Sequence, residues 1–164
     1  MQQYDILIIG GGPAGSTLAY DLLSTYDSKL KVAILDKKSF PRHKTCAGWV
    51  TPEVMRVLNI DLKDYEKNNI LQKINGFKIG LLGQKLVESH YDGPPVSYGI
   101  RRYEFDNYLL KRCGAELILE EAFKQMEKTS AGWLVNDRYH AKLIVGAGGH
   151  YCPVARAIDS KGVR

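Results

Sequence analysis

The residues with the clearest chemical potential stand near the start of the chain, where Gly10, Gly12 and Gly15 fall in a Gly-x-Gly-x-x-Gly spacing. Residues without side chains bring backbone N–H groups close to an anion, and this spacing does so for a diphosphate. Gly10 permits a tight turn, Gly12 opens the backbone to a pyrophosphate, and Gly15 lets a helix pack closely on the preceding strand. Asp36 follows Gly15 by 36 − 15 = 21 positions. At that separation a strand-end carboxylate can accept hydrogen bonds from a ribose diol, against the plainer reading of a strand-end cap. Arg42 lies in the basic run Phe40-Pro41-Arg42-His43-Lys44-Thr45-Cys46. Its planar guanidinium suits a phosphate, and a solvated basic loop is the alternative. Basic neighbours can also depress the Cys46 thiol pKa, although a small residue lining a cavity explains that position more simply. His43, His90, His140 and His150 show no metal-ligand spacing, so they are expected at the surface and no metal site is expected.

These groups need elements to hold them. Tyr4 to Ile9 is an apolar run of strand length, and the helix pattern over Ala14–Leu23 begins where the glycines end. Strand, tight turn and helix N-terminus together form an anion site, because free N–H groups and a partial positive charge converge there. A polar loop over Ser24–Lys29 and a buried parallel strand over Lys31–Asp36 come next. The stretch 37–50 has no strand or helix period and reads as a loop laid over the bound ligand. Thr51 and Pro52 mark a helix start, and a lysine- and asparagine-rich connection runs to Asn69. From 70 to 98 the pattern alternates, which predicts an inserted antiparallel β element with a turn near Gly83. A helix over Arg101–Gly114 stops at its glycine, and Ala115–Leu119 forms the next parallel strand. Short antiparallel strands are predicted over 123–128, 132–135 and 138–141, then a buried strand over 142–149. The fold class predicted is α/β: a Rossmann-like FAD/NAD(P)-binding domain over 1–164, with a mainly parallel sheet of at least four strands.

Composition narrows the function classes. The chain has 164 residues, 45% hydrophobic and 25% charged, which fits a globular domain and excludes disordered and fibrous classes. The net charge of +5 is scattered, with no recognition helix, so no nucleic-acid partner is expected. Three cysteines fit neither a disulfide framework nor a zinc site and suggest a reducing, cytoplasmic setting. Only Met1–Gln3 precede the first strand and no apolar run approaches a membrane span, so neither a leader nor a transmembrane segment is expected. Peripheral membrane contact stays open. On the residues alone, FAD, NAD(P) and a non-catalytic nucleotide-binding module all remain open.

Three blocks resemble the flavin-dependent oxidoreductases of the p-hydroxybenzoate hydroxylase fold, above all the geranylgeranyl reductases and their monooxygenase relatives. They are Asp5 to Ser16, Leu35-Asp36-Lys37 with Phe40 to Gly48, and Arg101 to Asp106 with Ile144 to Gly149 and Ala155-Arg156. The resemblance implies FAD as cofactor and NAD(P)H as the usual electron donor. The substrate it implies is a small apolar or aromatic molecule that is reduced or hydroxylated. Position by position, Gly10, Gly12, Pro13 and Ala14 would hold the pyrophosphate, and Asp36 with Lys37 would flank the adenosine ribose. Arg42 and Arg102 would meet the phosphate side, while Cys46 and Ala47 would lie near the flavin ring. Backbone around Ala122 would meet the adenine edge, and Gly146 with Ala147 would close over the ribose. Gly148 stands where the family's late Gly-Ala-Asp-Gly motif carries aspartate, a departure that bears on reduction by NAD(P)H. Members of the family also run to more than twice this length, so the chain reads as the N-terminal portion of a longer flavoprotein.

Overall fold

The structure is a computed structural model that describes residues 1–159; residues 160–164 of the expected domain lie outside the described residues. The chain divides into two compact units, residues 1–42 with 106–164, and residues 43–105.

The first unit is built on one six-stranded sheet. Its strands are β1 (Gln2–Ile9), β2 (Val32–Asp36), β8 (Glu116–Leu119), β9 (Met126–Thr129), β10 (Gly132–Val135) and β11 (Tyr139–Gly146). The order is β8-β2-β1-β11-β10-β9, with the first four parallel and the last two antiparallel additions. The apolar runs decide this arrangement. Leu7, Ile8, Ile9, Val32, Ala33, Ile34 and Leu35 are all buried, as strands covered on both faces require. One face packs Leu7, Ile9, Leu35, Tyr139 and Val154 together; the other packs Ile8, Ile34, Ala19, Leu110 and Cys113.

Helix α1 (Pro13–Asp21) succeeds β1 directly, with Pro13 in its first turn, where the missing N–H costs nothing. It continues as a π-helical turn over Leu22–Tyr26, so the expected polar loop begins three residues later than Ser24, at Asp27. Helix α4 (Arg102–Arg112) ends before Gly114, whose φ of 76° lies in the left-handed region expected of a glycine stop. The expected strands over 138–141 and 142–149 are one strand, β11. Lys142 breaks the hydrophobic pattern, yet the backbone keeps one register with β1 on both sides of it, from Tyr139↔Gln2 to Ala141↔Tyr4 and from Leu143↔Ile6 to Gly146↔Ile9. Nor is its second half buried, since Leu143 is 52% exposed. A 3₁₀ turn (Gly149–Tyr151) and helix α5 (Pro153–Asp159) complete the unit among the described residues.

In the second unit, β3 (Trp49–Val50), β7 (Ser97–Ile100) and β4 (Leu71–Ile74) form a three-stranded antiparallel sheet, and β5 (Gly76–Ile79) pairs with β6 (Val87–His90) in a separate hairpin. Helix α2 (Pro52–Val57) starts at Thr51 as expected, although the Thr51 hydroxyl makes no cap bond. The connection to Asn69 contains helix α3 (Leu62–Glu66). Its signal was the cap: Asp61 accepts the N–H groups of Lys63 at 2.8 Å and Asp64 at 3.3 Å. Tyr65 from this helix meets Phe105 edge-on at 6.1 Å. Among the described residues no helix is long and apolar enough to cross a membrane.

One half-buried contact makes the first unit sensitive to alkali. Tyr4 donates its hydroxyl to Glu116 at 2.9 Å, and burial first, then that bond, pushes its pKa up to about 12. A raised folded-state pKa stabilises fully below the ordinary tyrosine value, about 10, and the contribution disappears as pH climbs through the folded value. Unfolding free energy is therefore expected to fall by about 2 kcal/mol between roughly pH 10 and pH 12. Urea titrations across that window check this, and Tyr4→Phe should flatten the fall.

Candidate functional site: the glycine turn and its surroundings

The glycines, Asp36 and Arg42 converge at the carboxyl end of the parallel strands in the first unit. Gly10 has φ of 119°, its N–H donates to Leu35 at 2.9 Å, and the Ala147 N–H donates to Ile9 beside it at 2.8 Å. The turn is thus pinned between β2 and the end of β11. A Cβ on Gly10 would lie 2.5 Å from the Ala147 oxygen, and one on Gly15 would lie 2.0 Å from the Gly10 oxygen. Both glycines are fixed by backbone contact. Gly12 differs: its φ is −73°, and a Cβ there would find only Arg42 Nη2, at 3.5 Å. Its open side faces away from the packed protein, which is what a backbone needs in order to receive an anion. As N-cap it offers no side-chain acceptor, so no side chain caps the first N–H groups of α1. Pro13 and Ala14 occupy that first turn, and Ser16 is buried with its hydroxyl donating to Gly11 at 3.1 Å.

Asp36 reaches the turn from the end of β2. Its Oδ2 accepts the Gly11 N–H at 2.7 Å and its Oδ1 accepts the Lys38 N–H at 2.9 Å. Each carboxylate oxygen has a second lone pair, so binding the turn leaves capacity for a diol. Sequence reasoning offered ribose or cap; the structure shows a carboxylate that ties strand to turn. Lys37, next to it, is exposed.

Arg42 comes to the same turn by way of two residues whose types and spacing give no hint of it. Phe40 packs on Gly11, and the Arg42 guanidinium lies over the Phe40 ring at 4.8 Å. Asp106, fully buried on α4, pairs with Arg42 Nη2 at 3.5 Å. A buried carboxylate demands such partners. One signal of burial does exist in the sequence, because this acid sits among Phe105, Leu109 and Leu110 on the apolar face of a helix.

The remaining predicted residues divide between the units. Gly146 and Ala147 join the turn at the end of β11, where a Cβ on Gly146 would meet Cys152 Sγ at 2.8 Å. Ala122 is exposed two residues beyond Glu120, and its carbonyl accepts from Asn136 at 2.9 Å. At Gly148, a Cβ would come within 3.1 Å of Cys152 Cα and Pro153 Cδ, so this turn is tightly filled at the position that departs from the resembled motif. Cys46, Ala47 and Arg102 belong to the second unit. Cys46 is exposed and its Sγ accepts the Gly48 N–H at 3.4 Å, while Arg102 opens α4. Among the described residues no cluster of His, Cys, Asp and Glu could hold a metal ion.

No family model matches the chain. It is 30% identical over 168 residues to the uncharacterized protein in the nifH2 5′ region of Methanosarcina barkeri, covering 94% of this chain and 87% of that one. To the geranylgeranyl diphosphate reductase of Rhodobacter capsulatus it is 29% identical, over 87% of this chain and 32% of the reductase. The chain thus spans about a third of that reductase. Its fold is that of halogenase PltM solved in complex with FAD, with a TM-score of 0.76 and 24% identity over 96% of this chain and 36% of the halogenase. Gly10-x-Gly12-x-x-Gly15, the acid closing β2 and the parallel sheet are thus accounted for together: the chain has the Rossmann-like FAD-binding fold of flavoprotein oxidoreductases and is similar in sequence to geranylgeranyl reductases.

Proposed function

We propose that the chain is the FAD-binding portion of a flavoprotein oxidoreductase. The observation that carries this reading is the convergence of three groups on one turn: the open backbone at Gly12, the Asp36 carboxylate on Gly11, and the Arg42 guanidinium beside Gly12. A helix N-terminus and a cation suit a pyrophosphate, and the acid suits a ribose. Gly10, Gly12, Pro13, Ala14 and Gly15 take the pyrophosphate in this reading, with Arg42 and Arg102 on its phosphate side. Asp36 and Lys37 flank the ribose, Ala122 meets the adenine, and Gly146 with Ala147 closes over the ribose. Cys46 and Ala47 line the flavin ring. Residues 1–164 form one FAD-binding domain that carries the β segment about 70–98 as an insertion.

FAD supplies the redox chemistry when bound, and the chain supplies position and electrostatics. The reductase names among the curated relatives support reduction over hydroxylation. In this reading NAD(P)H is the electron source and the protein is cytoplasmic. An apolar substrate fits the exposed Ile79, Leu81, Leu82, Leu86 and Val87 around the β5–β6 hairpin, and the same residues suit peripheral contact with a membrane. The reading is tested by FAD uptake in competition with NADPH.

A further inference from the structure

The segment after β8, which carries Ala122, is held by a network of polar side chains to which the cofactor reading gives no role. Asn136 sits at the turn between β10 and β11 with φ of 50°. Its Nδ2 donates to the Ala122 carbonyl at 2.9 Å and to Glu121 Oε1 at 3.1 Å. Its Oδ1 accepts the Lys124 N–H at 2.8 Å. One amide therefore bonds both sides of the 121–125 stretch. Glu121 is fixed from its other oxygen, which accepts from the Tyr139 hydroxyl at 2.6 Å and from Arg138 at 3.1 Å. The Tyr139 bond above all, then Asn136 and Arg138, holds the Glu121 carboxyl below the usual carboxylate range.

The place of this segment gives the network a purpose. Asp36 pairs in register with Leu119, and the Glu121 N–H donates to the Asp36 carbonyl at 3.1 Å. With the pyrophosphate on the glycine turn and the ribose at Asp36, as in the FAD reading, the end of the neighbouring strand β8 lies next along the sheet. Glu120 to Ala122 is the backbone that would meet the adenine end there. Glu120 itself has φ of 61°, so the chain turns sharply at that point. Such a turn holds its shape only when the residues just after it are anchored. A cavity of about 560 Å³ opens along the same stretch, bounded by Glu120, Glu121, Lys124 and Asn136.

We propose that Asn136 is a positioning residue for the adenine end of the dinucleotide: by bonding Ala122 and Lys124 together it fixes the backbone wall beside Asp36 and so raises affinity for FAD. This rests on the FAD reading above. Its structural role is separable from its binding role because the left-handed backbone at Asn136 also suits glycine. Asn136→Gly therefore removes the amide without adding strain.

The experiment is a titration of the whole chain with FAD, followed by flavin fluorescence, in wild type, Asn136→Gly and Thr129→Val. Thr129→Val breaks a side-chain bond in the same antiparallel strands, Thr129 Oγ1 to His140 Nε2 at 3.2 Å, and controls for lost stability. The FAD dissociation constant is expected to rise about tenfold in Asn136→Gly and less than twofold in Thr129→Val, with the bound-flavin spectrum unchanged. An Asn136→Gly chain within twofold of wild type overturns the proposal, and so does an equal loss in both variants. Should Asn136→Gly fail to fold, Asn136→Asp carries the same comparison, because it keeps the acceptor for Lys124 and loses the donor to Ala122. A wild-type chain that takes up no FAD contradicts the cofactor reading itself; wild-type uptake with an indifferent Asn136→Gly contradicts only the anchor.

Discussion

Gly15→Ala is expected to abolish FAD uptake at micromolar concentrations, a loss of at least about a hundredfold, while lowering unfolding free energy by about 2–3 kcal/mol. The cause is steric and local. A methyl at that position would stand 2.0 Å from the Gly10 oxygen and 3.1 Å from Ile8 Cγ2, and the first of these is backbone that cannot rotate away. Helix α1 has to move off β1, and its N-terminal N–H groups move with it. Gly12→Ala separates the two effects. Its methyl meets only Arg42 Nη2 at 3.5 Å, an ordinary contact with the far end of a flexible side chain. The N-cap preference costs at most about 1 kcal/mol, so the fold should survive. FAD affinity should nonetheless fall at least about tenfold, because in the proposed FAD reading the methyl stands on the face that receives the pyrophosphate. Urea denaturation and FAD titration on the two variants check both halves. Equal losses of stability in the two would contradict the assignment of separate roles.

The second large effect is expected at the Arg42–Asp106 pair. Asp106 is fully buried and the Arg42 side chain is 19% exposed, so neither charge is well hydrated. Removing one partner of such a pair costs about 3–5 kcal/mol in buried sites, and the partial exposure of Arg42 places Arg42→Met nearer 2–3 kcal/mol. Methionine keeps apolar contact with Phe40, so the loss reports charge more than packing. FAD affinity should fall about tenfold to a hundredfold as well, since the guanidinium beside Gly12 is gone. A double-mutant cycle with Asp106→Asn isolates the pair. A coupling energy of at least about 1 kcal/mol is expected, and additivity within about 0.5 kcal/mol would show that the two side chains act independently.

Much of the first unit is legible in the residues because its signals are local. The strand, three glycines and helix of the turn are contiguous. The parallel strands β1, β2 and β8 announce themselves as apolar runs, and Gly114 stops α4 within the sequence that forms it. The parts that escape such a reading depend on distant partners or on short, polar sequence. Helix α3 buries only Tyr65 and declares itself through one cap residue, Asp61. Periodicity splits β11 at Lys142 because it registers a charge as a break, whereas pairing with β1 holds the same register on either side of it. At the site, Gly12, Asp36 and Arg42 are legible as candidate groups by type and spacing, and the fold brings them to one turn. Asp106 is not, since its function depends on an arginine brought to it only by the fold. Asn136 is invisible for the same reason: a turn asparagine looks alike whether it bonds its own loop or, as here, the end of another strand.

The central claim is that the glycine turn holds FAD, and direct titration tests it. Apoprotein is mixed with FAD, binding is followed by the shift in flavin absorbance, and NADPH is added as competitor. One FAD per chain is expected, with a dissociation constant on the order of 1 μM or tighter and little displacement by excess NADPH. Folded protein that takes up no FAD, or that binds NADPH more tightly than FAD, would contradict it.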